Sequence, residues 1–471
     1  MLKLSQAFRL SSTPRVAFVG SGGKTSALFH LAGEFTNPVL ATATTHMGVD
    51  QLSLADQYFS ADHPDKIADL ANFIADGVNL VLGKKINTDK VRGVDRDVFE
   101  SLLDLADFGG YPLLVEADGS RMLPLKAPAD HEPDIPTISY PGGDWLDAVV
   151  VVAGLTGLEK PLTGEWVHRP ERFAVTSGME MGEVISPAAL ARVLSHPDGG
   201  LKNIPAGVRR IALLNQADTA DLQSQGQTLA RLLLPEYQAG IISALNPFAS
   251  WSVPVKRQAR NGDRFSTEPS IYACYEPVAG IILAAGESRR LGKPKQLLPW
   301  KGEPLIRYIV LTTKSAGLSQ VVVVTGAYGD QVEKSLAGMD VTIARNPDWE
   351  SGQSSSVKTG LKALEPGTGA AIFILADQPN VPPDLIRLLM ETQAKSLSPI
   401  VAPQVDGQRA NPVLFNRETF AALNRLQGDI GGRNLFSRYP VQWVVWHDGD
   451  VLLDVDTAED YRRLVESSHD D

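Results

Sequence analysis

Short apolar runs bounded by glycine or polar turns, each followed by a stretch of helical period, recur along this chain from Arg15 onward. Residues 16–19, 39–42, 80–82, 113–116, 149–152, 211–214 and 240–243 are the strand candidates, since runs this short and this apolar suit strands covered on both faces. Between them, residues 24–34, 67–75 and 97–106 read as helices. That alternation predicts an α/β domain with a largely parallel sheet. From about Asn246 to Tyr275 the pattern breaks into a polar, Pro- and Gly-punctuated segment, a linker or a last excursion of the first domain. It then resumes, with strands over 280–284, 321–324, 341–344 and 371–375 and helices over 305–314, 355–364 and 384–394. This second half reads as a doubly wound α/β domain. The expected division is 1–250, a linker over 251–277, and 278–471, with no internal repeat.

A length of 471 residues exceeds one ordinary core and supports more than one domain. Hydrophobic content of 43% and charged content of 21% are those of a globular protein. A formal net charge of -11 argues against nucleic acid as a partner, which wants a basic face. The single cysteine, Cys274, excludes an intramolecular disulfide framework and fits a reducing compartment. No apolar run approaches the ~20 residues that span a bilayer, and MLKLSQAFRL is too short and polar for a signal peptide. A cytoplasmic protein without a membrane partner is expected.

The first candidate chemistry is Gly20-Ser21-Gly22-Gly23-Lys24-Thr25, after a strand and opening a helix. A full P-loop needs glycine where Phe18 stands. The shorter G-x-x-G-K-[ST] form, similar to the short P-loop of the Mur ligases, keeps the physics. Gly22 and Gly23 expose N–H groups, the helix N-terminus adds positive potential, Lys24 reaches the β- and γ-phosphates, and Thr25 reaches Mg²⁺. Glu116 and Asp118 follow another strand, where a Walker-B acid holds Mg²⁺; Thr42, Thr44, Thr45 and His46 end a third. The stretch Leu213 to Asp218, LLNQAD, resembles the N-K-x-D guanine-reading motif with Gln216 for lysine, so ATP and GTP both stay open. Histidines and the cysteine show no zinc-like spacing. GSGGKTS, ATATTHM, VEADGSRMLPLKAPADHEP and VHRPERFA together resemble the selenium-dependent hydroxylase accessory protein family over roughly residues 10–250. The resemblance implies nucleotide binding and a link to a recipient molybdenum hydroxylase.

The second candidate is VAGIILAAGESRRLGKPKQLLPWKGEPL, from Val278 to Leu305. Leu283, Ala284, Ala285 and Gly286 end a strand in small residues, so backbone N–H groups can close on a phosphate. Arg290 and Lys295 bring positive charge to that loop. The string resembles the signature of the molybdenum cofactor cytidylyltransferase family, L-A-A-G-x-S-x-R-M-G-x-x-K-x-L-L-P, with Leu291 for Met. The resemblance runs to the C-terminus and implies a Rossmann-like nucleotidyltransferase domain, beside the P-loop-like parallel-sheet domain of the first half.

On that resemblance Asp377, in Ala376-Asp377-Gln378-Pro379, binds Mg²⁺ and acts with Arg290 and Lys295 as the catalytic set. Asp456 is the second metal ligand and Asp454 its neighbour on the same face, in D-V-D-T-A-E-D. Ser354 and Ser355, in a run of three serines that opens a helix, hold the base or α-phosphate. Asn411-Pro412 and Gly428-Asp429 to Arg433 match the acceptor motifs, with departures at Ala410 and Asn411 and with Arg433 suited to a phosphate. The implied reaction joins CMP from CTP to the phosphate of molybdenum-loaded molybdopterin. The nucleophile is already ionised, so catalysis is positioning and charge neutralisation. Three readings stay open: this cytidylyltransferase, a guanylyl- or sugar-phosphate nucleotidyltransferase, and a non-catalytic molybdenum cofactor chaperone.

Overall fold

A computed structural model describes residues 2–119, 121–138, 144–245 and 270–467. It divides into two compact units, Met1–Tyr275 and Glu276–Asp471. The linker expectation over 251–277 lies outside the described residues up to position 269. Its last part is structured: Ser270–Tyr275 is a strand of the first unit.

The first unit is a nine-stranded sheet in the order Ser270–Tyr275, Ala239–Ala244, Arg209–Asn215, Ala148–Gly154, Arg15–Gly20, Leu113–Glu116, Val39–Ala43, Val78–Leu82, Gln57–Ser60. Every neighbouring pair is parallel except Ser270–Tyr275, which closes one edge antiparallel to Ala239–Ala244. Ala148–Gly154, Val39–Ala43 and Val78–Leu82 are buried at every position, as unbroken apolar runs require of strands with both faces covered. The edge strand Gln57–Ser60, polar at both ends, escapes the apolar-run criterion. So do the helices Pro170–Ser177, Pro187–Leu194 and Ala220–Leu233. The last two open on Ser186 and Thr219, whose side chains accept the N–H of Ala189 and Leu222. The helix expected over 67–75 is the shorter Asp65–Leu70. The register Phe18↔Glu116 brings the strand before the glycine loop alongside the one that carries the carboxylates.

In the second unit the sheet runs Thr342–Arg345, Gln320–Thr325, Val278–Ala284, Ala370–Leu375, Val413–Asn416, Ile400–Val405, Gln408–Arg409, with Val441–Val445 parallel to Ile400–Val405. Only the first four strands form the expected parallel half. The rest is mixed, because Asp406 and Gly407, both at positive φ, turn Ile400–Val405 straight back into Gln408–Arg409. Val413–Asn416 then runs antiparallel to both its neighbours. Leu283 pairs with Val324 on one side and Leu375 on the other, so three strands end beside one another. Gly326 is needed there: a Cβ would sit 2.6 Å from the Ala285 carbonyl oxygen. Gly360 lets the helix Gln353–Lys362 lie on the sheet, since a Cβ would meet Ile281 at 2.5 Å. Thr457 accepts the N–H of Asp460 while Asp460 accepts that of Thr457, a reciprocal cap on the last helix, Ala458–Ser467.

Candidate functional site

At the strand ends of the second unit Lys295 and the acids meet. Its ammonium lies 2.5 Å from Asp377 Oδ2 and 2.8 Å from Asp456 Oδ1. Burial by itself would lower the Lys295 pKa, but Asp377 and Asp456 outweigh it and raise it. Arg290 reaches Asp456 Oδ2 at 3.4 Å and is largely exposed. Asp454 accepts from Gln378 Nε2 at 2.6 Å; burial, then the charges of Asp377 and Asp456, push its pKa up. The N–H of Val455 donates to the Asp377 carbonyl, tying the two acidic stretches together. Gln296 clamps the loop by donating to the carbonyls of Ala284 and Gly286, and Ser288 Oγ accepts the Lys295 N–H.

Leu283, Ala285, Gly286, Lys295 and Asp377 line one open cleft. Ala284 does not; its side chain belongs to the core. The serines differ from expectation. The helix begins at Gln353, two residues earlier than its apolar period suggests, so Gln353 and Ser356 at i and i+3 share the cleft face. Ser354 is buried, with its N–H on the Gly428 carbonyl, and Ser355 Oγ donates to the Gly352 carbonyl. Asn346 Nδ2 donates to both Ser355 and Ser356.

Asn411, Asp429 and Arg433 line an adjoining pocket with Arg409 and the aromatic rings of Phe373, Phe415 and Phe436. Pro412 is buried and stands off that lining. The two pockets share Leu283, Gln353, Leu375 and Asp429, so they open onto one another. Arg409, missed in the sequence, stacks over Phe436 at 4.8 Å; burial and then the like charge of Arg433 lower its pKa. Its signal was the Asp-Gly turn, which fixes the strand that presents it.

The donor set suits a hard divalent cation, because Asp377 Oδ1 is buried with no hydrogen-bond partner and its neighbours are carboxylates. Among the described residues no three His, Cys, Asp or Glu side chains are grouped to hold an ion. Here Lys295 is the cation between Asp377 and Asp456.

In the first unit Gly22 and Gly23 have φ of 76° and 128°. A Cβ on Gly22 would meet Gly154 N at 2.4 Å, and one on Gly23 would meet Asn215 Nδ2 at 2.2 Å. Lys24, buried, donates to the Gly20 carbonyl at 2.8 Å and lies 3.2 Å from Asp118. Burial opposes its charge, yet Asp118 and Glu116 raise its pKa. Thr25 Oγ1 donates to Glu116 Oε2 at 2.8 Å, placing a hydroxyl and a carboxylate where one Mg²⁺ would find both. Burial first, and then Asp118, push the Glu116 pKa up. Asp118 Oδ2 accepts the Gly20 N–H and the Lys126 ammonium, each at 2.8 Å, while its buried Oδ1 lies toward Lys24 with no hydrogen-bond partner. Asn215 ties Gly22 to the sheet through its carbonyl, whereas Asp218 is exposed and absent from the cleft lining. Thr44, Thr45 and His46 line that cleft; Thr42 is buried on the Val81 carbonyl.

Sequence reasoning missed the ion pairs behind the loop. Lys126 also pairs with Glu132 at 2.9 Å, and Glu132 with Arg169 at 2.8 Å. Burial would raise the Glu132 pKa, but Arg169 and Lys126 draw it down to about 2. No helix among the described residues is long and apolar enough to cross a membrane.

Residues 16–171 match the family described as YqeC protein, and residues 280–443 the MobA-like NTP transferase domain. Uncharacterized protein YqeC of Escherichia coli (strain K12) is 33% identical over 216 residues, 45% of this chain and 80% of that protein. Nicotine blue oxidoreductase of Paenarthrobacter nicotinovorans is 30% identical, covering 40% of this chain and 96% of that protein. Molybdenum cofactor cytidylyltransferase of Escherichia coli (strain K12) is 24% identical over 38% of this chain and 92% of its own length. A probable molybdenum cofactor guanylyltransferase of Bacillus cereus (strain ATCC 10987 / NRS 248) is 29% identical over 39% and 93%.

Proposed function

We propose, for a chain that belongs to the YqeC family in its first unit and to the MobA-like NTP transferases in its second, that the second unit transfers CMP from CTP to molybdenum-loaded molybdopterin. The carrying observation is the pair of adjoining pockets that share Leu283, Gln353, Leu375 and Asp429. One presents the glycine loop, Lys295 and Asp377, the groups a triphosphate needs. The other presents Arg409 and Arg433 for an acceptor phosphate, beside three aromatic rings for a flat ring system.

An acceptor phosphate oxygen attacks the α-phosphorus, the bond to the β-phosphate oxygen breaks, and pyrophosphate leaves with that electron pair. The nucleophile is ionised, so no side chain need take a proton. Asp377, through its unpartnered Oδ1, and Asp456 would hold Mg²⁺, which supplies charge neutralisation on the triphosphate, with Asp454 beside them held by Gln378. Lys295 then turns from Asp377 and Asp456 to the phosphates, and Arg290, exposed beside it, closes on the leaving pyrophosphate. Ala285, Gly286 and Ser356 hold the nucleotide; Leu283 and Gln353 form the wall between nucleotide and acceptor.

The relatives include both a cytidylyl- and a guanylyltransferase. Ala285, where guanylyltransferases of this cofactor usually carry glycine, favours CTP. GTP is the second reading, favoured by the higher identity of the guanylyltransferase relative. The paired acids and cations around Lys295 argue against a decayed, chaperone-only site. The first unit, on its glycine loop with Lys24, Thr25 and Glu116, binds ATP or GTP as an accessory module for a recipient molybdenum hydroxylase. Mass analysis of the product formed with mixed CTP and GTP tests the transfer: a cytosine dinucleotide supports it, and a guanine dinucleotide moves the chain to the second reading.

A further inference from the structure

Leu213 to Asp218, LLNQAD, leaves the sheet of the first unit at Asn215, opposite Gly154 on one side and beside the end of Ala239–Ala244 on the other. Asn215 joins three segments there. Its Nδ2 donates to the Gly22 carbonyl at 2.9 Å, while its Oδ1 accepts from Ser243 Oγ at 3.2 Å and from the Leu245 N–H at 2.8 Å. Asn215, Gln216 and Leu245 all line the cleft that takes in the glycine loop and Lys24. A nucleotide with its phosphates on that loop has this corner at hand for its base, at the carboxyl ends of parallel strands, where open α/β sheets bind such ligands.

From Asn215 to Thr219 every side chain or backbone group is engaged except the Asp218 carboxylate. Gln216 is held at φ 65°, a strained conformation for a residue with a side chain, and its Oε1 accepts from Thr156 Oγ1. The Ala217 N–H donates to the Ser243 carbonyl at 2.9 Å, and the Ala217 carbonyl accepts from Gln223 Nε2 at 3.1 Å. Thr219 caps the helix Ala220–Leu233 by accepting the Leu222 N–H. Asp218 stands between them, exposed two residues past the cleft-lining Gln216, and makes no hydrogen bond or ion pair with a described residue. An acid ahead of a helix gains a little from the dipole. That role needs neither a strained backbone nor an asparagine tied to the glycine loop.

A carboxylate only accepts hydrogen bonds, through two oxygens side by side. Guanine offers the matching edge, its N1–H and its N2 amino group, whereas adenine has a bare ring nitrogen and a C–H there. Facing adenine, Asp218 would set lone pair against lone pair. We propose that the first unit takes a guanine rather than an adenine nucleotide, and that Asp218, on a loop framed by Asn215 and Ser243, is the residue that selects it. This rests on the nucleotide reading of the glycine loop.

The test is calorimetric titration of the full chain in Mg²⁺ with GMP-PNP, AMP-PNP and the xanthosine analogue of the same imidotriphosphate. Each titration is repeated in Lys24→Ala, so that only binding lost with that lysine counts for the first unit. GMP-PNP is expected to bind about tenfold or more tighter than AMP-PNP. Asp218→Asn should exchange guanine for xanthine. Asparagine keeps an oxygen for the N1–H but turns an amino group toward position 2, where xanthine carries a carbonyl oxygen. GMP-PNP should weaken roughly tenfold or more and the xanthosine analogue should gain as much, with AMP-PNP unchanged. A gain of affinity cannot come from misfolding. AMP-PNP binding as tightly as GMP-PNP overturns the proposal and leaves the nucleotide reading standing. So does a GMP-PNP affinity unchanged in Asp218→Asn, or lost there without a gain for xanthine. If neither GMP-PNP nor AMP-PNP shows a Lys24-dependent site, the nucleotide reading falls and the proposal with it.

Discussion

Replacing Asp377 by asparagine separates a structural from a catalytic role for this carboxylate. The substitution keeps the volume and one carbonyl oxygen toward Lys295 but removes the charge. In the free fold Lys295 retains Asp456 at 2.8 Å, and the relief of charge on Asp454 offsets part of the loss. The stability cost is therefore about 1 kcal/mol, the difference between a charge-assisted and an ordinary hydrogen bond. In a unit of this size that is a melting shift of roughly 2–4 °C. Transfer suffers far more, because Asp377 Oδ1, without a partner in the fold, is the oxygen available to a cation on the triphosphate. Loss of one preorganised electrostatic group costs ~3 kcal/mol or more, on the order of a hundredfold in rate. Pyrophosphate release and a thermal melt on the same sample give both numbers. A variant that keeps a tenth of the wild-type rate has lost only ~1.4 kcal/mol, and Asp377 would leave the metal site.

Arg409→Ala should raise the acceptor KM about tenfold or more and leave the CTP KM nearly unchanged, measured by varying each substrate in turn; equal effects on both would move Arg409 out of the acceptor pocket. Lys24→Ala should spare transfer, and residues 276–471 expressed alone should fold by circular dichroism and release pyrophosphate, since both pockets of the second unit are lined by its own residues. A folded but inactive fragment, restored by adding residues 1–275, would show a composite site. Glu132, ordinarily near 4.5, is held near 2 in the fold, so its contribution of order 3 kcal/mol is complete above pH ~4.5 and lost as pH falls toward 2. Denaturation midpoints against pH should lose that part of their slope in Glu132→Gln, and an unchanged slope would contradict the ion-pair chain.

The buried strands were legible because consecutive valines, as in Ala148–Gly154, have few other ways to be covered. Gln57–Ser60 was not, since an edge strand needs no apolar run. The glycine loop of the second unit was legible as a contiguous string. Asp377 was too, because it stands at the end of an apolar stretch, whereas Asp456 was legible only through the resemblance carried by D-V-D-T-A-E-D. Which serine faces the cleft was not, because a helix start displaced by two residues turns a different side chain into it. The antiparallel half was announced only by Asp406-Gly407, and with it went Arg409. Glu132 and Arg169 are 37 residues apart, and such ion pairs leave no periodicity to read.

A nucleotidyltransferase that uses CTP on a molybdopterin acceptor must release pyrophosphate only when both substrates are present. The most direct measurement is the rate of pyrophosphate release by the full chain with each of CTP, GTP, ATP and UTP in Mg²⁺, with and without molybdenum-loaded molybdopterin. Release from CTP that requires the acceptor, and exceeds release from GTP about tenfold or more, is the predicted result; that ratio corresponds to ~1.4 kcal/mol of discrimination. Release from GTP that equals or exceeds that from CTP, or release indifferent to the acceptor, would contradict it.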